Sequence, residues 1–497
     1  MNLGQLFEGI VEGGGAGADT TEVTGVTSDS RQVRAGFVYV GIRGGRYDGR
    51  DFVPDAVARG AVACIVEGPA PITSGGAVPA IPVPDARLAV ALLAARFHGD
   101  PSSKLKVVGT TGTNGKTTVS YLVRDILKQA GLQPGLIGTI AYEIGERTIP
   151  AARTTPEATE LQGLLAQMVT SGCQSAVIEV SSHSLDQKRV AGVDFDVGVF
   201  TNLTGDHLDY HLDMERYFAA KAGLFRQLGT GKKSAYAVIN ADDPFGRRLA
   251  DPSRYDAEVI TYGTGRGADV RAEIVELDAR GSRITMASPW GSYKVETPLM
   301  GRFNVSNVLA AMTIAGAMGI DIETASQALK HATGAPGRLE EIPTDTGFQV
   351  FVDYAHTDDA LSNVLTTLRE VTPGRLIAVF GCGGDRDKTK RPLMGRVAEV
   401  GADLAIATSD NPRSEEPADI IEQIVAGVHN RKTVLVEIDR RDAIHKAINL
   451  AREGDIVLIA GKGHEHFQEI GSRTIPFDDR QVAQEALVGE GVVTSGQ

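Results

Sequence analysis

The chain has 497 residues, enough for about three domains at roughly 150 residues each, so every unit can bury its own core without a disulfide or metal staple. Lys and Arg total 50 against 63 Asp and Glu; the formal charge of −13 argues against nucleic acid or an anionic membrane as the main partner, though not against a local basic pocket for a phosphorylated small molecule. Three cysteines (Cys64, Cys173, Cys382) without CxxC spacing argue against a disulfide framework and a cysteine-built zinc site, and the composition, 42% hydrophobic and 23% charged, suits a soluble cytoplasmic protein.

The N-terminus lacks a basic stretch followed by an apolar run, so no signal peptide is expected. The first 85 or so residues read as a small α/β unit. Strands are expected at Phe37–Val40 and Val62–Val66, a loop at Gly41–Gly49, and a short helix from Phe52 to Arg59. Pro69, Pro71, Gly75, Gly76, Pro79, Pro82 and Pro84 then mark loops and a boundary. A second region opens with a strand at Leu105–Val108 and a glycine-rich loop, Gly109–Gly115. Its helix carries Val119, Leu122, Val123, Ile126, Leu127 and Ala130 at a 3.6-residue period and stops at Gly131. Another helix is expected to start at Thr155-Pro156, a cap followed by proline, and to bury Leu161, Leu164, Leu165, Met168 and Val169. Strands follow at Ala176–Ile178, running into Glu179, and at Val197–Phe200. The longest mostly apolar run, Val308–Ile320, is too short and too rich in Gly and Ala to span a bilayer. From Gly334–Gly337 onward, strands at Phe348–Val352, Leu376–Phe380, Leu404–Thr408, Val434–Ile438 and Ile456–Ala460 alternate with amphipathic helices. Polar and glycine-rich stretches follow their carboxyl ends, where open parallel sheets bind ligands.

The sharpest motif is Gly109-Thr-Thr-Gly-Thr-Asn-Gly-Lys116-Thr117-Thr118, between a strand and a helix. Amides of such a loop converge on phosphate oxygens, and the helix N-terminus adds positive potential. Lys116 is expected to reach the β and γ phosphates of ATP, and Thr117 to ligate Mg²⁺. A strict phosphate-loop pattern asks for Gly at 110, where this chain has Thr; the glycine stands at 109. Glu179 ends a buried strand, so it suits either a magnesium ligand or a cap or ion-pair role. His207, in Thr201-Asn-Leu-Thr-Gly-Asp-His207, follows another strand; a lone histidine more commonly satisfies a backbone carbonyl than a metal. The basic patch Arg386-Asp-Lys388-Thr-Lys390-Arg391 has no interleaved aromatics, which argues against nucleic acid. Gly381-x-Gly383-Gly384 lacks the third glycine of a dinucleotide fingerprint, because Arg386 stands there. Asp410-Asn411-Pro412-Arg413 is a turn ahead of a helix expected to be capped by Ser414 and opened by Pro417. Arg413 suits bidentate carboxylate recognition, and also a solvated arginine.

Together these segments resemble the Mur ligase family along essentially the whole chain. The match runs through GTNGKT at Gly112–Thr117, EVSSH at Glu179–His183, NLTxDHLDYH at Asn202–His211 and FNxxN at Phe303–Asn307. It continues with GRLE at Gly337–Glu340, DYAH at Asp353–His356, GCGGDRDxxKRPLM at Gly381–Met394 and GKGHE at Gly461–Glu465. Thr at position 110 also fits this family's phosphate loop. The resemblance implies three α/β domains: a UDP-substrate-binding domain over 1–86, a central ATP-binding domain with a P-loop over 87–335, and a Rossmann-like amino-acid-binding domain over 336–497. It implies that Gly112, Thr113, Asn114, Gly115, Lys116, Thr117, Thr118, Asn304, Asn307, Arg338 and Asp353 bind ATP. Thr117, Glu179, His207 and Lys221 would serve magnesium, Lys221 as a CO₂-derived carbamate; Lys116, Glu179, His207 and Lys221 would be catalytic. Val26, Ser28 and Arg43–Gly44–Gly45 would hold the uridine-diphosphate end, and Thr154, Thr155, Ser181, Gln187 and Arg189 the muramoyl-dipeptide.

Asp410–Arg413 resembles the signature of the branch that adds meso-diaminopimelate, whose second carboxylate Arg413 would pair, with Arg386, Asp410, Asn411, Pro412, Gly461 and Glu465 around it. The implied activity is ATP- and Mg²⁺-dependent amide formation through an acyl phosphate on the D-glutamate of UDP-N-acetylmuramoyl-L-alanyl-D-glutamate. That is a cytoplasmic step of peptidoglycan synthesis, tied to cell shape and division, by a monomer with no nucleic-acid or integral membrane partner. No general base for the amine stands out. The alternatives are a lysine-adding relative, a folate polyglutamylating relative and, from another class, a nucleotide-hydrolysing regulatory protein. Closure of the third domain over ATP about Gly334–Gly337 is expected.

Overall fold

The computed structural model describes residues 1–11, 20–45, 47–68, 78, 80–278 and 280–491. Among the described residues, three large sheets follow one another along the chain, and a two-stranded antiparallel ribbon, Phe467–Ile470 and Arg473–Pro476, comes after the last. The first has four parallel strands in the order Gly25–Thr27, Phe37–Gly41, Ala63–Glu67 and Ala80–Val83. Pro82 sits in the edge strand, the one place where a missing N–H does not interrupt a ladder. Pro69, Pro71, Gly75, Gly76 and Pro79 of the expected boundary lie outside the described residues. The helix Ala86–Phe97 belongs to this first layer. Asp85 caps it by accepting from Leu88 N, and Val90, Ala91 and Leu93 pack with Leu3, Leu6 and Phe7 over the sheet. The same apolar cluster also takes in Ala158 and Ala191 of the central region.

The central sheet has eleven strands, parallel through its middle and antiparallel at both edges. Lys106–Thr111 lies between Val197–Phe200 and Ser175–Glu179, so its carboxyl end opens at the sheet's centre. The strand runs three residues further than expected: Gly109–Thr111 are ladder residues, and the free loop is Gly112–Gly115. The helix Lys116–Gln129 buries Val119, Leu122, Val123, Ile126 and Leu127 together with the helix Arg302–Ala317. Each such side chain removed from water contributes about 1.5–3 kcal/mol, which anchors the loop that precedes the helix. On the opposite face lie Ala158–Thr170 and Met214–Arg226. The expected start at Thr155-Pro156 is corrected: the helix begins at Ala158 after Glu157, because the Thr155 hydroxyl donates to Glu179 O at 2.7 Å instead of capping.

The third sheet runs Glu340–Ile342, Gln349–Asp353, Ile456–Ala460, Leu376–Phe380, Leu404–Ala407, Val434–Val436, parallel except for the first strand. Helices cover both faces, with Asp358–Val371, Lys390–Gly401 and Pro417–Val425 on one and Arg440–Leu450 on the other. Ser414 is not a cap. Its hydroxyl donates to Asp385, and the helix starts at Pro417 after Glu416. Among the described residues, no helix is long and apolar enough to cross a membrane.

Candidate active site

The phosphate loop is shaped by its neighbours. Gly112 has φ +153, and a Cβ there would lie 1.8 Å from Thr201 Oγ1, so only glycine fits. Asn202 and Thr201 fasten the loop: Thr113 N donates to Asn202 O (2.9 Å), Asn114 N to Asn202 Oδ1 (2.9 Å), and Thr201 Oγ1 to Asn114 O (2.6 Å). Lys116 Nζ donates to Gly112 O and Thr113 O, both at 2.9 Å, and burial lowers its pKa. The helix that starts at Lys116 presents the N–H groups of Thr117 and Thr118 at its first turn, a ready anion site. Asn304 Oδ1 accepts from Asn307 Nδ2 (3.0 Å), and Asn307 Oδ1 lies against Gly115, so the helix Arg302–Ala317 walls the loop.

Beside this loop, Glu179 is fully buried. It accepts from Thr117 Oγ1 (2.9 Å), Thr139 N (2.9 Å) and Thr139 Oγ1 (3.0 Å), and no cationic side chain among the described residues forms an ion pair with it. A buried carboxylate with neutral donors and an adjacent hydroxyl is a hard oxygen set suited to Mg²⁺. His207 sits at φ +54 with its Nε2 3.5 Å from Asp206 Oδ2; its side chain is 47% exposed, and the desolvation its neighbours impose lowers its pKa against the pull of Asp206, which favours the neutral ring. Lys221 is buried and donates to Gly112 O at 2.7 Å with Tyr217 below it; burial and then Lys116 lower its pKa well below 10.5. A neutral ε-amine is the form that can capture CO₂. Among the described residues, no three His, Cys, Asp or Glu side chains converge as a metal-binding group.

The seam next to Glu179 gathers the residues expected to hold the muramoyl-dipeptide. Thr154 Oγ1 meets Thr139 Oγ1 at 3.1 Å, Ser181 N donates to Thr155 Oγ1 at 3.1 Å, and Ser181 Oγ accepts from Ser184 N. Arg189 donates to Thr155 O (3.0 Å) and Gln187 Oε1 (2.7 Å) and pairs with Glu157 (3.0 Å). Val26 lies in the first strand of the first sheet, where it packs in one apolar cluster with Ala158 and Ala191, and Ser28 follows that strand directly; Arg43, Gly44 and Gly45 lie on the loop closed by Gly44 N donating to Tyr47 O (2.9 Å).

From the third unit, Arg338 crosses to the phosphate loop: its Nη2 is 3.5 Å from Thr117 Oγ1, its guanidinium stacks 4.6 Å from the Tyr354 ring centre, and its Nε is buried without a partner among the described residues. Asp353 fixes the turn, accepting from Leu339 N (2.6 Å) and Ala355 N (2.7 Å). Asp359 makes a second crossing, accepting from Asn114 Nδ2 (3.0 Å) and Thr204 Oγ1 (3.1 Å).

At the same edge of the third sheet, Asn411 Nδ2 donates to Glu465 Oε2, and the fully buried Lys462 donates to both Asn411 Oδ1 and Glu465 Oε2, each contact at 2.9 Å. Burial would raise Asp410, but Lys462 and Arg440 outweigh it and hold the carboxyl below its usual range; Gly461 lies against its Oδ2. Arg413 Nη1 donates to Gly384 O at 2.8 Å. Arg386 is exposed and lies across Gly383 from Arg413. Pro412 carries Arg413 past Gly384. Arg391, fully buried, grips both oxygens of Glu415 at 2.9 Å and donates to Gly383 O, bracing these two loops together.

Comparison with known proteins matches residues 22–98 to the Mur ligase family catalytic domain, 110–315 to the Mur ligase middle domain and 337–463 to the Mur ligase glutamate ligase domain. The chain is 45% identical over 500 residues to UDP-N-acetylmuramoyl-L-alanyl-D-glutamate–2,6-diaminopimelate ligase of Geobacter metallireducens, with 97% of each covered. This chain belongs to the Mur ligase family. A Gloeobacter violaceus relative of the same name is 48% identical over 467 residues, covering 94% of each. Among solved structures, a UDP-N-acetylmuramoyl-L-alanyl-D-glutamate–2,6-diaminopimelate ligase superposes with a TM-score of 0.73 at 33% identity, covering 99% of both chains. Thermotoga maritima MurF ligase in complex with ADP shares the fold at a TM-score of 0.61 and 21% identity, covering 94% of this chain and 96% of its own.

Sequence reasoning about this Mur ligase missed Thr139, Asn202, Tyr354, Asp359 and Lys462 as parts of the site. Asn202, Tyr354 and Lys462 lie inside motifs already singled out, so their position was a usable signal. Asp359 carries none, because its partners Asn114 and Thr204 are remote in the chain.

Proposed function

We propose that this Mur ligase uses ATP to join meso-diaminopimelate to the D-glutamate of UDP-N-acetylmuramoyl-L-alanyl-D-glutamate, a step of peptidoglycan synthesis in the cytoplasm. One observation carries the reading. The third sheet presents, on a single edge, an arginine that reaches the phosphate loop (Arg338) and, two residues after Asn411 with its Glu465 and Lys462 partners, an arginine held against Gly384 that suits an amino acid bearing an extra carboxylate (Arg413).

The loop amides, Lys116 and Arg338 hold the triphosphate, with Asn304, Asn307 and Asp353 around the nucleotide. Thr117, Glu179 and His207 would hold magnesium, joined by Lys221 once CO₂ has turned its neutral amine into a carbamate. Magnesium, when bound, neutralises charge on the transferring phosphoryl group. Thr154, Thr155, Ser181, Gln187 and Arg189 orient the glutamyl carboxylate toward that phosphoryl group, while Val26, Ser28 and Arg43–Gly45 hold the uridine-diphosphate end. The carboxylate takes the γ-phosphoryl group to give an acyl phosphate and ADP. The amine of diaminopimelate, positioned by Arg386, Asp410–Arg413, Gly461 and Glu465, then attacks the acyl carbon; phosphate leaves and the amide forms with loss of a proton. Catalysis is mainly positioning and charge neutralisation. The enzyme acts as a monomer whose third domain closes over ATP about Gly334–Gly337, and scattering should register compaction with an ATP analogue and substrates.

Phosphate release from ATP, Mg²⁺ and UDP-N-acetylmuramoyl-L-alanyl-D-glutamate, with meso-diaminopimelate, with L-lysine and with neither, tests the reading while the tripeptide is followed by mass. Product with diaminopimelate alone is expected. Product with lysine instead removes the role given to Arg413, and hydrolysis indifferent to both amino acids points to a regulatory nucleotidase.

A further inference from the structure

Resting on the reading above, the substrate's distal carboxylate needs Arg413 held in one orientation. The backbone alone does not secure that. Arg413 has φ +51, a region side-chain-bearing residues avoid, so bonds from its neighbours must keep it there. They come from one segment, the strand Phe467–Ile470 and the turn after it. Arg413 N donates to Glu469 O at 3.0 Å, Gly471 N donates to Arg413 O at 2.7 Å, and Glu469 N donates to Asn411 Oδ1 at 3.0 Å. Asn411 is itself fixed by the fully buried Lys462.

The same residue also reaches the guanidinium. Glu469 Oε2 lies 2.7 Å from Arg413 Nε, while on the other side Nη1 donates to Gly384 O at 2.8 Å. An arginine offers five N–H donors in a rigid planar fork. Contact at Nε and one hydrogen bond from Nη1 fix the plane of that fork and leave Nη2 and the remaining Nη1 hydrogen for a ligand. The Arg413 side chain is 23% exposed and that of Glu469 36%, so the pair stands at the rim of the site where an amino acid would enter.

We propose that Glu469 is a positioning residue for the amino-acid substrate: acting through Arg413, it aims the open edge of the guanidinium at the distal carboxylate of a diaminopimelate-type substrate and thereby sharpens selection for it. Glu469 touches no reacting atom. Its carboxylate bears only on the binding of the amino acid, and not on phosphoryl transfer at the phosphate loop.

The test measures steady-state phosphate release and tripeptide formation by the full chain and its E469A, E469Q, R413A and R413A/E469A variants, varying meso-diaminopimelate and then ATP. E469A is expected to raise KM for diaminopimelate about ten-fold while kcat and KM for ATP stay within about two-fold, the size of one lost charge-assisted contact. E469Q, which keeps an acceptor oxygen, falls between wild type and E469A. In the R413A background, E469A adds less than about two-fold, because the residue through which Glu469 acts is gone. An unchanged or lowered KM for diaminopimelate in E469A overturns the inference, the lowered value meaning that Glu469 competes with the substrate carboxylate. So does an undiminished effect in the R413A background, or an equal rise in KM for ATP. A wild-type enzyme that forms no tripeptide refutes the parent reading and the inference with it, and is recognised before any variant is made.

Discussion

Replacing Arg338 by alanine should separate ligand binding from folding. Among the described residues its Nε is buried without a partner, a deficit of about 1–3 kcal/mol. The stack on Tyr354 at 4.6 Å returns about 0.5–2 kcal/mol, so the residue contributes little net stability before ATP arrives. With nucleotide bound, the guanidinium that stands 3.5 Å from Thr117 Oγ1 gains phosphate oxygens as acceptors. Charge-assisted bonds of this kind contribute about 1.5–3 kcal/mol, or about 10–150-fold in binding or rate. R338A is therefore expected to lower kcat/KM for ATP by about 10–150-fold while moving the unliganded melting temperature by less than about 4 °C. R338K keeps the charge but not the planar fork and should recover less than about ten-fold. Phosphate release against ATP concentration gives the first quantity and scanning calorimetry of the unliganded enzyme the second. A loss in kcat/KM under about three-fold, or a melting shift large enough to account for the lost activity, would refute the reasoning.

Three further outcomes are expected. E179Q should raise the magnesium concentration needed for half-maximal activity by about 10–100-fold, since the buried carboxylate is the main anionic donor; an unchanged magnesium titration removes it from the metal. Arg440 and Asp479 form an ion pair in which both side chains are 0% exposed, at 2.7 Å. D479A leaves a buried unpaired cation and should cost about 3–5 kcal/mol, lowering the melting temperature of the third unit by about 6–20 °C; a shift under about 2 °C would contradict this. For Lys221, whose pKa burial holds well below 10.5, the unfolded chain binds a proton that the folded chain lacks at every pH between the two values. Stability should therefore rise with pH below 10.5, by up to about 1.4 kcal/mol per unit in CO₂-free buffer, and K221M should flatten that slope just below pH 10.5. Equal slopes in urea titrations of the two proteins would exclude it.

What could be read from the sequence follows from how local each signal is. The phosphate loop is legible because its function needs glycines, a lysine and a hydroxyl in one contiguous stretch between a strand and a helix. Thr155 and Ser414 look like caps in the sequence, and are not, for the complementary reason. Hydroxyl before proline or acid is a local pattern, but Thr155 bonds Glu179 O, 24 residues on, and Ser414 bonds Asp385, 29 residues back. Asn114 meets Asp359 across 245 residues, and Lys221 meets Gly112 across 109, separations that no periodicity encodes. Lys221 entered only through the family resemblance. The short edge strands Gly25–Thr27 and Ala80–Val83 escaped because three or four residues, one of them Pro82, carry too little alternation to stand out.

The place of Ile456–Ala460 in the third sheet has a consequence for how the protein is made. This strand lies between Gln349–Asp353 and Leu376–Phe380, bonded to both, yet it is the last of the six to leave the ribosome. The first two units can close their sheets while translation continues. The third cannot, because its two halves lack the strand that joins them until residue 460 has been made. Any nascent or nonsense-truncated polypeptide ending before residue 456 therefore displays two unjoined apolar sheet edges, and quality-control proteases and chaperones meet an intact nucleotide-binding core carrying an unfinished tail.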